Sequence, residues 1–345
     1  PYYLGNLFYD KRQYDDAIAY WELSAELDGQ FPTTLRNLGI AYFNKRNDEH
    51  KALACFEKAF ALDPSDDRLC MELHQLYKRL NRSPEERKAF LEANLNTALE
   101  RDDIYLEWVS IHNFLGEYDK ALDMITKRQF HPWEGGEGKA SGQYVFSLVE
   151  IAKERIQALD FAGAIELLTR AQTYPYNLGE GKLFGAQENE IFYWLGCAYE
   201  ALNDIDTANS YFIKATEGLD EPSAAVFYND QQPDKIFYQG LAWDKLGRQD
   251  KAASIFTKLI SYSGQHLNDN IKIDYFAVSL PNLLIFEDDL DIRNKVHCLF
   301  MKGLGHLGLD ETEAAEQSFS KVLELDSEHL GAKIHSIMPI QQKKV

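Results

Sequence analysis

Leu35-Arg-Asn-Leu-Gly-Ile-Ala-Tyr42, followed by Ala52-Leu-Ala-Cys-Phe56 and then Pro64, recurs as Phe192-Tyr-Trp-Leu-Gly-Cys-Ala-Tyr199 followed by Ala208-Asn-Ser-Tyr-Phe212. A pattern that returns far along a chain points to a repeat architecture and is read before any local motif. Working outward from these two copies, alignment on the small-residue position of the first helix gives eight candidate units. The eight positions are Gly5, Gly39, His74, Val109, Ala152, Gly196, Gly240 and Gly303. The matching places in the second half of each unit are Ala17, Ala52, Glu86, Ala121, Ala164, Ala208, Ala252 and Ala315. They lie 12 residues on, or 13 in the second unit. Four residues later stands Trp21, Phe56, Phe90, Ile125, Leu168, Phe212, Phe256 or Phe319, a large apolar side chain in every unit.

Packing explains the spacing. Two antiparallel helices approach closely only where one presents a small side chain, and a large neighbour fills the hole beside it. A single such hairpin cannot bury its apolar face alone and must stack on the next. The motif resembles the tetratricopeptide repeat over nearly the whole chain. The fold it implies is all-α, a right-handed α-solenoid of about eight hairpins, with Ser327 to Ile337 as a C-terminal capping helix ahead of Pro339 and a basic tail. His74, Val109 and Glu86 depart from the pattern, so the third and fourth units fit it less well. Aromatics such as Tyr42, Tyr77, Tyr199 and Trp243 fall at repeat-defining places and are assigned to packing between helices.

The small positions are separated by 34, 35, 35, 43, 44, 44 and 63 residues. The spacing inside each unit stays fixed, so the extra residues lie between units and project on one edge. Three regions follow: regular units over 1–126 (the first truncated at its start), units with long loops over 127–263, and an insertion, a last unit and the cap over 264–345. Two loops are alike: Phe130-His-Pro-Trp-Glu-Gly-Gly-Glu-Gly-Lys139 and Tyr174-Pro-Tyr-Asn-Leu-Gly-Glu-Gly-Lys182. Each reads as a turn followed by entry into the next first helix. Within the longest insertion, Asp274 to Phe286 reads as an extra helix broken at Pro281, either a spacer or a distorted ninth unit. The following Glu287-Asp-Asp-Leu-Asp291 reads as a solvated acidic stretch.

Gly-Glu-Gly-Lys is not a phosphate loop. That motif needs another glycine upstream and Ser or Thr after the lysine, where this chain has Trp133 or Tyr176 and Ala140 or Leu183. Two looser readings remain. One is an anion site at a helix N-terminus assisted by Lys139 or Lys182. The other is a sugar site in which Trp133 is a stacking platform and His131, Glu134 and Glu137 hydrogen-bond. Glu180 is the second loop's counterpart of Glu137. The simpler expectation is that these loops pin one hairpin to the next.

Composition narrows the classes of function. With 36 Lys+Arg against 55 Asp+Glu, a net charge of −19 disfavours nucleic acid and anionic lipid as partners. Cys55, Cys70, Cys197 and Cys298 stand far apart, which fits neither a disulfide framework nor a CxxC site and suggests a reducing, cytoplasmic setting. No run of roughly 18 apolar residues would span a membrane. His74, His112 and His306 fall on first helices as packed or rim side chains. No metal-binding or nucleophile motif appears, so neither cofactor nor catalytic residue is expected.

In carboxylate-clamp members of the family it resembles, two asparagines and three basic residues of the concave groove grip a partner peptide's C-terminus. Carried over by position, Asn6, Asn37 and Arg68 match, whereas Tyr2 and Glu72 stand where basic residues belong, and Glu72 would repel a carboxylate. Peptide backbone is therefore the better expected ligand there. More narrowly, Pro-Tyr-Tyr-Leu-Gly-Asn-Leu-Phe-Tyr-Asp10, Tyr-Leu-Glu-Trp108 and the loop ending at Lys139 resemble the C-terminal repeat region of large bacterial proteins. Their N-terminal β-rich domain, of unassigned function, is similar to sugar-acting β-sandwich folds. That resemblance implies a non-catalytic interaction scaffold, docking an upstream domain, a second copy (a homodimer) or a partner peptide. The alternative is a carbohydrate-linked accessory region acting through the Gly-Glu-Gly-Lys loops. Tyr2, Tyr3 and Leu4, with no cap before them, are expected to form an apolar end covered in the intact protein.

Overall fold

A computed structural model of the chain describes residues 1–133, 135–224, 230–271 and 285–338. The regular structure among its described residues is helical, with no strand among them. They form two compact units, Pro1–Trp108 with Leu283–Asp288 and Val109–Asn282 with Asp289–Val345, each as far as it is described.

Eight helix pairs follow one another. They are α1 (Tyr2–Asp10) with α2 (Tyr14–Leu27), α3 (Pro32–Arg46) with α4 (Glu49–Leu62), and α5 (Asp67–Arg79) with α6 (Pro84–Ala93). After the short α7 (Leu95–Ala98) come α8 (Asp102–Phe114) with α9 (Tyr118–Lys127), α10 (Lys139–Gln157) with α11 (Phe161–Ala171), and α12 (Asn189–Ala201) with α13 (Ile205–Ala215). The last two pairs are α14 (Pro233–Lys245) with α15 (Gln249–His266) and α16 (Leu290–Gly308) with α17 (Thr312–Leu325), followed by α18 (Leu330–Ser336).

Local chemistry sets the hairpin turns. Each holds one left-handed residue: Arg12, Asn47, Asn81, Gly116, Leu159, Asn203, Gly247 or Asp310, with φ between 50° and 78°. Reversing the chain in so few residues needs that conformation, which glycine and asparagine adopt at least cost. An oxygen side chain then starts several second helices: Asp48 accepts from the Lys51 amide, Asp160 from Gly163 and Asp204 from Thr207. Ser83 and Glu86 form a reciprocal capping box.

The small-against-large rule is visible atom by atom. A Cβ added at Gly5 would meet the Trp21 ring at 2.3 Å, one at Gly39 the Phe56 ring at 2.5 Å, and those at Gly196, Gly240 and Gly303 the rings of Phe212, Phe256 and Phe319 at 2.4–2.5 Å. Ala17, Ala52, Ala121 and Ala164, at the matching places of their second helices, are fully buried. The third unit corrects the expected alignment. Glu86 is exposed and spent on the capping box, while Arg87 and Leu91 are buried in the core places assigned to Glu86 and Phe90. The pair is one residue longer here, as in the second unit, because α6 starts one place later relative to His74.

A second contact, between successive hairpins, uses Gly305. Its Cβ would lie 2.7 Å from the Phe256 carbonyl oxygen and 2.6 Å from Ile260 Cγ1. Backbone cannot rotate away, so Gly305→Ala forces α16 off α15. We expect a net loss of about 1–2 kcal/mol, the overpacking cost exceeding the roughly 1 kcal/mol that alanine gains in helix propensity. Gly142, in the first turn of α10, has nothing within 4 Å of a built Cβ, and Gly142→Ala should stabilise by about 0.5–1 kcal/mol. Urea midpoints of the two variants should move in opposite directions; equal shifts would refute the close approach of α15 and α16.

The extra helix expected over 274–286 lies, except for its last two residues, outside the described residues, as do Glu134, Pro339 and the basic tail. Residues 285 and 286 are not helical. The acidic stretch after them is not simply solvated. Asp289 caps α16 by accepting from the Asp291 and Ile292 amides at 3.0 Å, Glu287 pairs with Lys45, and Asp288 pairs with Arg79 at 2.5 Å. A helix start and two cations give those carboxylates partners that a local reading does not reveal. Among the described residues no helix is long and apolar enough to cross a membrane.

Candidate functional site

The groove positions Asn6, Asn37 and Arg68 stand on the successive first helices α1, α3 and α5. The asparagines are joined: Asn37 Nδ2 donates to Asn6 Oδ1 at 3.3 Å, and Trp21 Nε1 donates to the same oxygen at 3.0 Å. Arg68 Nε donates at 2.9 Å to Glu72, whose side chain is 1% exposed. Arg36 grips Glu72 from the other side, with Nε and Nη2 each at 2.5 Å from a carboxylate oxygen. Glu72 thus acts as an internal counter-ion for two guanidiniums, and a peptide carboxylate arriving there would have to compete with it.

The two similar loops interlock, with different jobs. Lys139 is the first residue of α10, so the first loop does enter a helix. The second does not, because α12 begins only at Asn189, and Lys182 instead donates to the Gln172 carbonyl at 3.0 Å and pairs with Glu188 at 2.6 Å. Glu180 reaches back to the start of α10, accepting from the Gly138 and Ser141 amides at 2.8 Å each. The anion at this helix N-terminus is therefore the chain's own carboxylate. Asn177 completes the joint: its carbonyl accepts from the Phe130 amide at 2.8 Å, and its side chain donates to the Ile125 and Arg128 carbonyls. Gly179 is held at φ +73°, where a Cβ would lie 2.6 Å from the Phe130 oxygen.

His131, Glu137 and Lys139 are exposed, whereas Trp133 is half-buried with one face of its ring against Gly136. The exposed apolar side chains of this edge belong to the second loop: Tyr176 (92% exposed), Leu183 and Phe184. Glu180→Ala should lower stability by about 1–2 kcal/mol, the usual loss for an N-terminal cap, and speed hydrogen exchange at the start of α10. Unchanged exchange there would refute the capping role.

A third arrangement, not singled out by sequence reasoning, is a buried ionic ladder on the first helices of the second unit. Lys153 pairs with Glu150 at 2.8 Å and lies 5.6 Å from the Trp194 ring centroid, while Lys235 bridges Glu190 at 3.1 Å and Asp234 at 2.8 Å. Lys245 pairs with Glu200 at 2.5 Å. The Glu190–Lys235 and Glu200–Lys245 partners are 45 residues apart, one repeat plus one, as Arg36 and Glu72 are 36 apart in the shorter repeats. Burial raises the Glu150 carboxyl although Lys153 opposes it; burial would lower Lys235, but Asp234 and Glu190 hold it above the ordinary lysine range.

Helix α18 packs against α16 and α17 and sets His335 beside α14. His335, 2% exposed, meets Phe237 edge-on at 5.5 Å and lies near Tyr238 and Phe300, and its Nδ1 hydrogen-bonds to the Gly331 carbonyl at 2.7 Å. Among the described residues His335 Nε2 finds no partner at hydrogen-bonding geometry.

Stacked two-helix hairpins with a small-against-large seam make this an α-solenoid. Comparison with known families adds that residues 190–217 and 296–329 match one tetratricopeptide-repeat model and residues 236–265 match another. The chain contains tetratricopeptide repeats, and the matched segments carry the Gly196–Phe212, Gly303–Phe319 and Gly240–Phe256 pairs.

Among solved structures the chain is similar to a chain of Naa15/Naa10 bound to HypK-THB, at 12% identity and a TM-score of 0.42, with 94% of this chain covered and 57% of that one. It thus spans little more than half of that protein's length. A tetratricopeptide repeat protein from Parabacteroides merdae is similar at 12% identity and a TM-score of 0.42, covering 91% of this chain and 99% of that one. PilW, a type IV pilus biogenesis factor, is similar at 16% identity and a TM-score of 0.31, covering 62% and 89%.

Proposed function

We propose that this chain is a non-catalytic protein-interaction scaffold, the repeat arm of a larger protein, which docks an upstream domain, a second copy or a partner. The observation that carries this reading is the outer face of α1, where Tyr3 is 83% exposed and Leu4 and Leu7 nearly half exposed. Three large apolar side chains on one short helix form the kind of surface that proteins cover with another protein. Lys153 with Glu150, and Lys235 with Glu190 and Asp234, are engaged with one another as ion pairs, which supports a structural role for these charges. The test is light-scattering mass of the chain alone and with an upstream region attached, for wild type and for Leu4→Glu/Leu7→Glu. Self-association or compaction that the double variant loses supports the reading. A chain that stays monomeric alone and remains extended with the upstream region attached refutes docking through α1.

A further inference from the structure

Residues 285–288 lie on the first unit as a short non-helical segment that bends at Ile285 and Phe286. Asn44, about two turns further along α3 than Asn37, clamps the segment's backbone. Its Nδ2 donates to the Ile285 carbonyl at 2.7 Å, and its Oδ1 accepts from the Glu287 amide at 2.9 Å. One amide side chain thereby satisfies both a donor and an acceptor of a passing backbone, whatever side chains that backbone carries. Between the two hydrogen bonds Phe286 turns inward to 1% exposure, edge-on to Phe43 at 5.0 Å and to Phe56 at 5.4 Å. Phe56 is already fixed against Gly39, so the floor of this pocket is set by the packing of the repeat itself. Beyond it, Lys45 meets Glu287 and Arg79 meets Asp288. Asn44 and Arg79 hold equivalent places on consecutive first helices, five residues after Gly39 and His74.

We propose that Phe43, Asn44, Lys45, Phe56 and Arg79 form a recognition site for a short non-helical peptide segment of the pattern aliphatic–Phe–acidic–acidic. Ile285–Asp288 is its resident occupant, which a partner protein's segment of the same pattern displaces. The contacts read a backbone, one aromatic ring and two carboxylates, features of a short linear motif that do not depend on what carries it. The two ion pairs are partly open to solvent, with Glu287 60% and Asp288 34% exposed, so the resident segment is held by contacts that a competitor reproduces in full. The proposal rests on the scaffold reading and deepens it by naming a surface and the chemistry of its partner.

The test uses a fluorescent peptide of sequence Leu-Leu-Ile-Phe-Glu-Asp-Asp and the full chain. Fluorescence anisotropy should show at least tenfold tighter binding to Phe286→Ala/Glu287→Ala, in which the resident segment is released, than to wild type. Adding Asn44→Ala or Arg79→Glu to the released chain should weaken binding at least tenfold, and a peptide with Phe replaced by Ser should not bind. A second measurement needs no substitution: saturating peptide should accelerate hydrogen exchange of the Glu287 amide in wild type. A helical released chain that ignores the peptide, binding indifferent to Asn44 and Arg79, or an unchanged Glu287 amide would each show the segment to be a fixed staple and overturn the proposal. Failure here leaves the α1 mass measurement untouched, so the two readings fall separately.

Discussion

Glu72→Ala should cost about 3 kcal/mol, because it strips the counter-ion from a buried ion pair while leaving the cation in place. Glu72 is 1% exposed and Arg36 only 14%, so without Glu72 the Arg36 charge would be left largely out of water. Arg68, 58% exposed, can turn to solvent, and Arg68→Ala should cost less than about 1 kcal/mol. Glu72→Gln keeps the shape and one acceptor and should fall between the two. Hydrogen exchange of α3 and α5 is the right measurement, since it reports this unit alone. Exchange in Glu72→Ala indistinguishable from wild type would mean that the pair contributes nothing to holding the two helices together.

Acid should loosen the second unit through His335. Burial chiefly, and the nearby Lys153 charge, push its pKa down to about 4, while Glu190 and Asp234 oppose the shift. Unfolded histidine titrates near 6.5, so between those values the unfolded chain binds a proton that the folded chain refuses. Stability therefore falls as pH drops from about 6.5 to about 4 and the loss is complete below that, at about 3 kcal/mol from a depression of roughly 2.5 units. His335→Leu should remove this part of the pH dependence when urea midpoints are compared at pH 7 and pH 4.5. His74 in the first unit is depressed as well, by burial and by Arg87, so some acid sensitivity should survive the substitution. Parallel pH profiles for wild type and His335→Leu would exclude a neutral buried imidazole.

The hairpins were legible in the sequence because a helix–helix contact imposes residue size at fixed spacing. Gly39 with Phe56 and Gly196 with Phe212 could be paired by counting, and the atoms meet where the count placed them. The third unit misled because its size code is broken: His74 is bulky and the core second-helix place holds Arg87, a side chain no hydrophobic pattern would select. Ion pairs at one repeat plus one, such as Arg36 with Glu72, escape a reading tuned to charges three or four residues apart. The acidic run at Glu287 looked solvated for the same reason, since its partners Lys45 and Arg79 lie more than two hundred residues upstream. Similar loop strings likewise did not mean similar loops. Lys139 begins a helix and Lys182 does not, because Glu180 of the second loop is committed to the start of the first loop's helix.

The clamp on residue 285 also has a timetable. Each hairpin closes over a dozen or so residues and can form as soon as it is synthesised, whereas Asn44 and Ile285 are 241 positions apart. At roughly 5–20 residues per second, the ribosome delivers residue 285 about 10–50 s after residue 44. For all but the first part of that interval, once Arg79 has been added, α3, α4 and α5 are complete and their edge has no resident segment from their own chain. A segment of the right pattern on another protein would meet its easiest competition then, so the order of synthesis itself favours assembly on the nascent chain over exchange with the finished one.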